Sequence, residues 1–405
     1  MIGRCGRLGW AAIAVGALAG SALASGGSPV SFSSATGYPT GLKFTSFVAA
    51  GDLNGDGRAD AVVSNFRTRI LFALPGGRLS SPRNLDPQGG RVAIADFDGD
   101  GNRDVVRLSD RDGNPRSRRS AVLFGNGRGG FPRRTRFEAP GRPLYNHLND
   151  PAVGDFNRDR KPDLAVPEAG NSQPGVWILL GDGKGNFPTQ KQYPTRGAFA
   201  DQAAIADFDR DHNPDVAVAV ARDEISNPDG PGGLQVLFGD GTGDFPRAAT
   251  SRAGDRLVSV AAGNLDGDRA PDLAVVNGNP IPQDPKPTEL RVLLGDGRGG
   301  FSRPHRYRLG WTLASVVMAD FDRDGDRDLA ATNDIPARRR ETPVRVLTGN
   351  GRGRFSPARR FVVGRTDYAP GRMAAADFNR DRKPDLILAR GSDGRVSVLL
   401  NTTGR

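Results

Sequence analysis

The sequence predicts an all-β protein, a seven-bladed β-propeller with four-stranded blades, and three observations point to it. A nine-residue acidic loop recurs seven times, beginning at Asp52, Asp96, Asp155, Asp207, Asn264, Asp320 and Asp377. Each loop lies between short apolar runs, and most units add another apolar run that ends in a glycine-rich turn and a phenylalanine. The chain's 55 glycines and 30 prolines are interleaved with these runs throughout, as many short strands joined by tight turns require. Four-stranded units repeating every ~40–60 residues fit blades that bury their faces against one another.

The N-terminus reads as an export signal. Arg4 and Arg7 precede an apolar stretch, Leu8–Leu18, and Ala22, Leu23 and Ala24 form a small-residue cleavage site. Residues 1–24 are therefore expected to be removed, leaving the propeller in residues 25–405. The stretch is short for a membrane span and no second one follows, so no membrane span is expected. The protein is expected to be secreted, free or loosely held at a surface. Cys5, the sole cysteine, lies ahead of the cleavage site, so no disulfide stiffens the mature chain.

Within a unit, the first strand is the small-residue run before the loop, as in Ala203–Ala206 and Ala374–Ala376. Small side chains fit the crowded strand nearest a propeller axis. The second strand follows the loop, as in Leu164–Val166 and Leu273–Val276, and the third is the run typified by Val292–Gly295. The fourth is expected to start at the turn phenylalanine: Phe131, Phe187, Phe245, Phe301 or Phe355. The last unit stops at Arg405, where its fourth strand is due, while Val30–Ala35 is a spare strand upstream. That segment is expected to complete the seventh blade and close the ring.

Positions 1, 3, 5 and 9 of the loops carry the oxygen donors. They are Asp52, Asn54, Asp56 and Asp60 in the first loop, and Asp96, Asp98, Asp100 and Asp104 in the second. The third has Asp155, Asn157, Asp159 and Asp163, and the fourth Asp207, Asp209, Asp211 and Asp215. The fifth has Asn264, Asp266, Asp268 and Asp272, and the sixth Asp320, Asp322, Asp324 and Asp328. The seventh has Asp377, Asn379, Asp381 and Asp385. Hard oxygen donors in such a loop, joined by the position-7 carbonyl, suit calcium; magnesium wants a stricter octahedron and zinc wants nitrogen or sulfur. Up to seven calcium ions, mainly structural, are expected. Metal-free Asx turns are the alternative, but like carboxylates crowded together seven times over call for a cation. Gly57, Gly101 and Gly325 suit a left-handed position 6, whereas Arg160, His212, Arg269 and Arg382 must bear strain there or turn differently. The second and sixth loops are expected to bind most tightly and the fifth, with Asn264, most weakly.

The pattern D-F-N/D-x-D-x-x-x-D-L/V, followed by V-L-L/F-G-D/N-G-x-G-x-F, resembles the FG-GAP/VCBS repeat family. It is also similar to the calcium-binding blades of the integrin α-chain head. The resemblance spans nearly the whole mature chain and implies a calcium-loaded propeller. It leaves function open, because the family includes adhesion heads, lectins and propellers attached to polysaccharide-degrading enzymes. The departures are the degenerate turn of the first unit, Asn264, and the four loops without glycine at position 6.

The net charge of +10 is spread along the chain on no nucleic-acid motif, so no nucleic-acid partner is expected. His147, His212 and His305 fall in separate units, and neither G-x-S-x-G nor H-E-x-x-H occurs, so the protein is not expected to be an enzyme. Variable segments (residues 107–120, 221–233, 277–289 and 333–343) fall on the face opposite the acidic loops. Tyr145, Phe199, Trp311 and Tyr368, near the junctions between units, are candidates for a ligand face there; packing between blades is the plainer role for them. The expected function is a binding, adhesion or scaffold module, a monomeric ring for an extracellular protein or surface partner. A carbohydrate-binding lectin is the alternative, and a polysaccharide-degrading enzyme a more distant one.

Overall fold

Apolar runs on either side of each acidic loop make the first two strands of every unit, and the loop reverses the chain between them. The computed structural model describes residues 29–109, 119–138, 146–170, 174–196, 199–221, 232–278, 287–311, 313–333, 341–365, 371–391 and 393–404. These residues contain strands and turns and no helix. Residues 1–28, which hold the expected export signal, lie outside them.

Unit two shows the plan. Arg91–Ala95, Asp104–Leu108, Arg119–Phe124 and Arg133–Glu138 pair in sequence order, each antiparallel to the next. Unit one does the same with Phe47–Gly51, Asp60–Ser64, Thr68–Leu71 and Arg83–Asp86. Unit five uses Leu257–Gly263, Asp272–Asn277, Pro287–Leu293 and His305–Trp311; unit six uses Leu313–Ala319, Asp328–Asn333, Glu341–Leu347 and Arg359–Arg365. Unit three has Ala152–Gly154, Asp163–Gly170, Gly175–Leu180 and Thr189–Pro194, with Asn146–Leu148 added to the second of these. Unit four has Phe199–Ala206, Asp215–Ala221, Gly233–Phe238 and Arg247–Ser251. A pairing of Ala169 with Phe199 joins units three and four into one nine-stranded sheet.

Burial follows position in the sheet. Asp215–Ala221 is buried at every residue, so it reads as continuous valine and alanine rather than an alternation. In Arg133–Glu138 only Phe137 is buried, and charge on such an outer strand discourages edge-to-edge pairing. Residues 107–120 were expected to form a surface loop, but Arg107 lies in the second strand and is 1% exposed. It reaches back to Asp86 at 3.5 Å and donates to the Arg119 carbonyl at 2.6 Å, which accounts for a buried guanidinium there.

The apolar cores lie between neighbouring sheets. One core, for instance, joins Phe97, Val106 and Phe124 of unit two to Val153, Leu164 and Phe187 of unit three. Another joins Phe378, Ile387 and Val398 of unit seven to Ala61, Val63 and Leu71 of unit one. The turn phenylalanines build these interfaces. Phe187, Phe245 and Phe301 stand edge-on against Phe97, Phe156 and Phe208, the second residue of the preceding unit's acidic loop, at 5.5–6.1 Å. This corrects the expected start of the fourth strands, which begin at Arg133, Thr189, Arg247, His305 and Arg359. The phenylalanine is turned into the interface, and in units two to four the following proline has no N–H for a ladder.

Met373–Ala376, Asp385–Ala389 and Arg395–Leu399 form unit seven, and Thr36–Pro39 pairs with Arg395–Leu399 as its fourth strand. Val30–Ala35 was expected in that place, so the pairing segment lies just downstream. T-G-Y-P reads as a turn in sequence, yet an outer strand has a free edge that tolerates Pro39. Val30–Ala35 runs on beside the chain end. Phe32 bridges Asn401 and sets its ring edge-on against Phe321 at 5.7 Å. It occupies the place that a turn phenylalanine would take in the unit whose turn is missing.

Candidate metal centres

Every acidic loop is folded by its own side chains. The position-1 oxygen accepts N–H groups from further along the loop: Asp52 from Gly55 at 2.7 Å and Gly57 at 2.8 Å, Asp377 from Arg380 and Arg382 at 2.7 Å. Those bonds need positions 4 and 6 to be left-handed, and in all seven loops both have positive φ. Every non-glycine residue with positive φ among the described residues sits at one of these positions: Arg158, Arg160, Arg210, His212, Arg269, Arg323, Arg380 and Arg382. Arginine and histidine at position 6 therefore bear strain rather than turn differently. The same demand at position 4 was not anticipated.

Position 9 is the most buried of the donors. Asp60, Asp104, Asp163, Asp215, Asp272, Asp328 and Asp385 are all fully buried. One oxygen of each accepts the position-2 N–H, at 2.6–3.0 Å. The other accepts an N–H from the residue just past the third strand, at 2.7–2.9 Å. This carboxylate ties loop to sheet as well as facing the loop interior, a role that sequence pattern alone did not suggest. Burial pushes Asp60, Asp104, Asp163, Asp215 and Asp385 up to about 7 and Asp328 up to about 8, and neighbouring loop carboxylates add to the rise.

Three loops carry aspartate at positions 1, 3 and 9 together, and in all three those carboxylates converge. Asp96, Asp98 and Asp104, then Asp207, Asp209 and Asp215, then Asp320, Asp322 and Asp328 have oxygens within 4.8 Å of one another. These groups can hold a metal ion. Position 5 is set differently: one oxygen of Asp56, Asp100, Asp159, Asp211, Asp268, Asp324 and Asp381 accepts the position-7 N–H. The crowding is felt where it is densest, since burial and then Asp324 push Asp322 up to about 7. Several buried carboxylate oxygens, Asp155 Oδ1, Asp207 Oδ1 and Asp209 Oδ1, have no hydrogen-bond partner. A buried, unpartnered oxygen is costly unless something cationic meets it.

At the opposite end of the sheets, where the first strands begin, a polar cluster crosses between units. Arg372 sends Nε to Asp150 at 2.5 Å and Nη2 to Asp201 at 3.1 Å, and donates to the Val258 carbonyl at 3.1 Å. Arg91 approaches Asp150 at 3.9 Å and lies over the Phe47 ring at 3.7 Å. Burial raises the Asp201 carboxyl against the pull of Arg372, while Asp150 and Asp201 outweigh the burial that opposes charge on Arg372. No local signal marks this cluster in the sequence. Of the candidate ligand-face residues, Phe199 is at this end and 37% exposed. Trp311 ends the fourth strand of unit five, and Tyr145 and Tyr368 lie outside the described residues.

Residues 96–166, from the acidic loop of unit two into unit three, match a family model described as FG-GAP-like repeat. The chain carries an FG-GAP-like repeat. No curated protein matches the chain. Among solved structures, the chain is similar to BBS1N in complex with ARL6DN, soaked with mercury, at TM-score 0.59 and 13% identity over 92% of this chain and 98% of that one. The same complex soaked with lead matches at TM-score 0.58 and 12% identity, over 92% and 98%. A mutant of AofleA from Arthrobotrys oligospora matches at TM-score 0.46 and 12% identity, over 82% and 90%. FG-GAP-like repeats on an all-β, propeller-like fold are the result.

Proposed function

We propose that the chain is a secreted, calcium-loaded, seven-bladed propeller, closed by its own N-terminal strand, whose free face binds an extracellular protein without catalysis. The ring is supported by the order in which first strands pack. Phe47–Gly51 meets Arg91–Ala95, and each later first strand meets the next until Met373–Ala376 meets Phe47–Gly51 again. Calcium is supported by donor sets made only of oxygen, by the three converging carboxylate groups, and by the unpartnered oxygens of Asp155, Asp207 and Asp209. Such an ion would offset the mutual repulsion of the loop carboxylates. At calcium well above its dissociation constant, each occupied loop would add about 2–3 kcal/mol of stability, in a chain without disulfides.

One observation carries the binding reading. Phe66 is 76% exposed in the turn between the second and third strands of unit one, with Phe44 edge-on at 6.5 Å. Lys43 Nζ lies 5.5 Å over the Phe44 ring, and Arg67 follows Phe66. An exposed ring stacked edge-on against a half-buried one, beside cations, has the composition of a protein-binding hot spot. It sits on the face opposite the acidic loops, together with Phe199. The structurally similar BBS1N is itself in complex with a second protein, ARL6DN, in keeping with protein recognition. The test is affinity capture from extracellular and surface extracts in millimolar calcium, with wild type and a Phe66→Asp variant of equal thermal stability. Capture of a defined protein that the variant loses supports the reading. Equal capture by both, or binding only to sugars on a glycan array, refutes it.

A further inference from the structure

Two acidic loops hold a cationic side chain that comes from outside the loop. In unit two, Arg133 of the fourth strand pairs with Asp98 at position 3, and in unit four Arg247 pairs with Asp209 at the same position. Each guanidinium carbon lies over the ring of the phenylalanine that ends the third strand: Arg133 at 3.4 Å from the Phe124 ring centre, Arg247 at 3.5 Å from Phe238. The ring holds the guanidinium close to the carboxylate that it pairs with. The arginines are 53% exposed, but Asp98 and Asp209 are 13% and 14% exposed, so the pairing is felt on the acidic side.

The arrangement is written twice in the sequence. Phe124 and Phe238 each close a V-L-F run, and Arg133 and Arg247 each stand two residues after a turn phenylalanine. Unit six has the third converging carboxylate group, yet it has Thr348 in place of the ring and Pro357 in place of the arginine. Among the described residues, the carboxylate groups of units two and four have a guanidinium at position 3 and that of unit six has none; unit six also carries Asp326 at position 7, where the other two have Asn102 and Asn213.

We propose that Arg133 and Arg247 are built-in counter-ions: each keeps its loop assembled without a divalent cation and lowers that loop's affinity for one. The inference rests on the calcium reading above. An ion beside Asp98 or Asp209 must share the carboxylate with a positive group or push it aside, and like charges at that range repel. The pairing and stacking surrendered are together worth about a factor of ten in affinity. The sixth loop is then the tight site, and the second loop loses the high rank that its aspartates alone suggest.

The test uses the purified protein and an Arg133→Gln, Arg247→Gln variant. Calcium titration by calorimetry is joined to thermal melting in chelator and in millimolar calcium. Two sites should tighten about tenfold in the variant, equivalent to about 1.4 kcal/mol each. The variant should melt below wild type in chelator, and the gap should close or invert in calcium. Unchanged affinities, or a deficit equal in both media, overturn the counter-ion role while a calcium-stabilised wild type leaves the calcium reading standing. Wild-type curves that coincide with and without calcium sink both.

Discussion

Replacing Arg372 by alanine removes a side chain that ties unit seven to units three, four and five at once. Its guanidinium faces Asp150 and Asp201 and the Val258 carbonyl, and its side chain is 14% exposed. Without it, two carboxylates that are 20% and 29% exposed face each other, with Arg91 as a neighbouring cation 3.9 Å from Asp150. Breaking a buried ion pair costs about 3–5 kcal/mol, and the partial exposure of the carboxylates places the expected loss at about 3 kcal/mol. Urea denaturation followed by circular dichroism reads it directly. Combining Arg372→Ala with Asp201→Asn should recover part of the loss, with a coupling of about 1–2 kcal/mol, because one of the two carboxylates left behind is neutralised. A loss under about 1 kcal/mol, or a double variant that is simply additive, would refute the idea that this cluster holds the first strands together.

Three other expectations follow from the loops and the chain ends. A carboxyl raised from 3.8 to about 7, as Asp60 and Asp385 are, keeps its proton in the folded state over a range where the unfolded chain has lost it. In chelator, stability should therefore fall as pH rises between about 4 and about 7, and calcium should flatten the fall; melting at both ends of that window checks the sign. Arg160→Gly relieves a φ of 65° and should stabilise by about 0.5–1 kcal/mol, as measured by chemical denaturation. Phe32→Ala removes edge-on contacts to Phe321 and Phe361 at 5.7 and 5.1 Å and should cost about 3–4 kcal/mol; retention of the wild-type midpoint would mean the N-terminal segment is dispensable.

Much of the architecture was legible because its signals are local and repeated. Each acidic loop bends through bonds between residues at most a few positions apart, so D-x-N/D-x-D spacing reports its shape wherever it occurs. The tether at position 9 was half legible: the aspartate is visible, but its acceptance of an N–H from beyond the third strand depends on sheet pairing 13 to 24 residues away. Left-handed backbone at position 4 was hidden because arginine stands there in four loops, where glycine would have announced it. Thr36–Pro39 was misplaced by one segment because its glycine and proline carry a turn signature that only the neighbouring strand overrides.

By itself, the sequence determined the strand content, the seven acidic loops, and which of them carry aspartate at positions 1, 3 and 9 together. Tertiary structure alone decided that the carboxylates of these loops converge, that Arg133 and Arg247 reach position 3, and how Arg372 meets Asp201, 171 positions away. The division has a physical cause. Backbone turns and strand propensity act over a few residues and leave a periodic trace, whereas the Arg372 cluster pairs charges across units and leaves none.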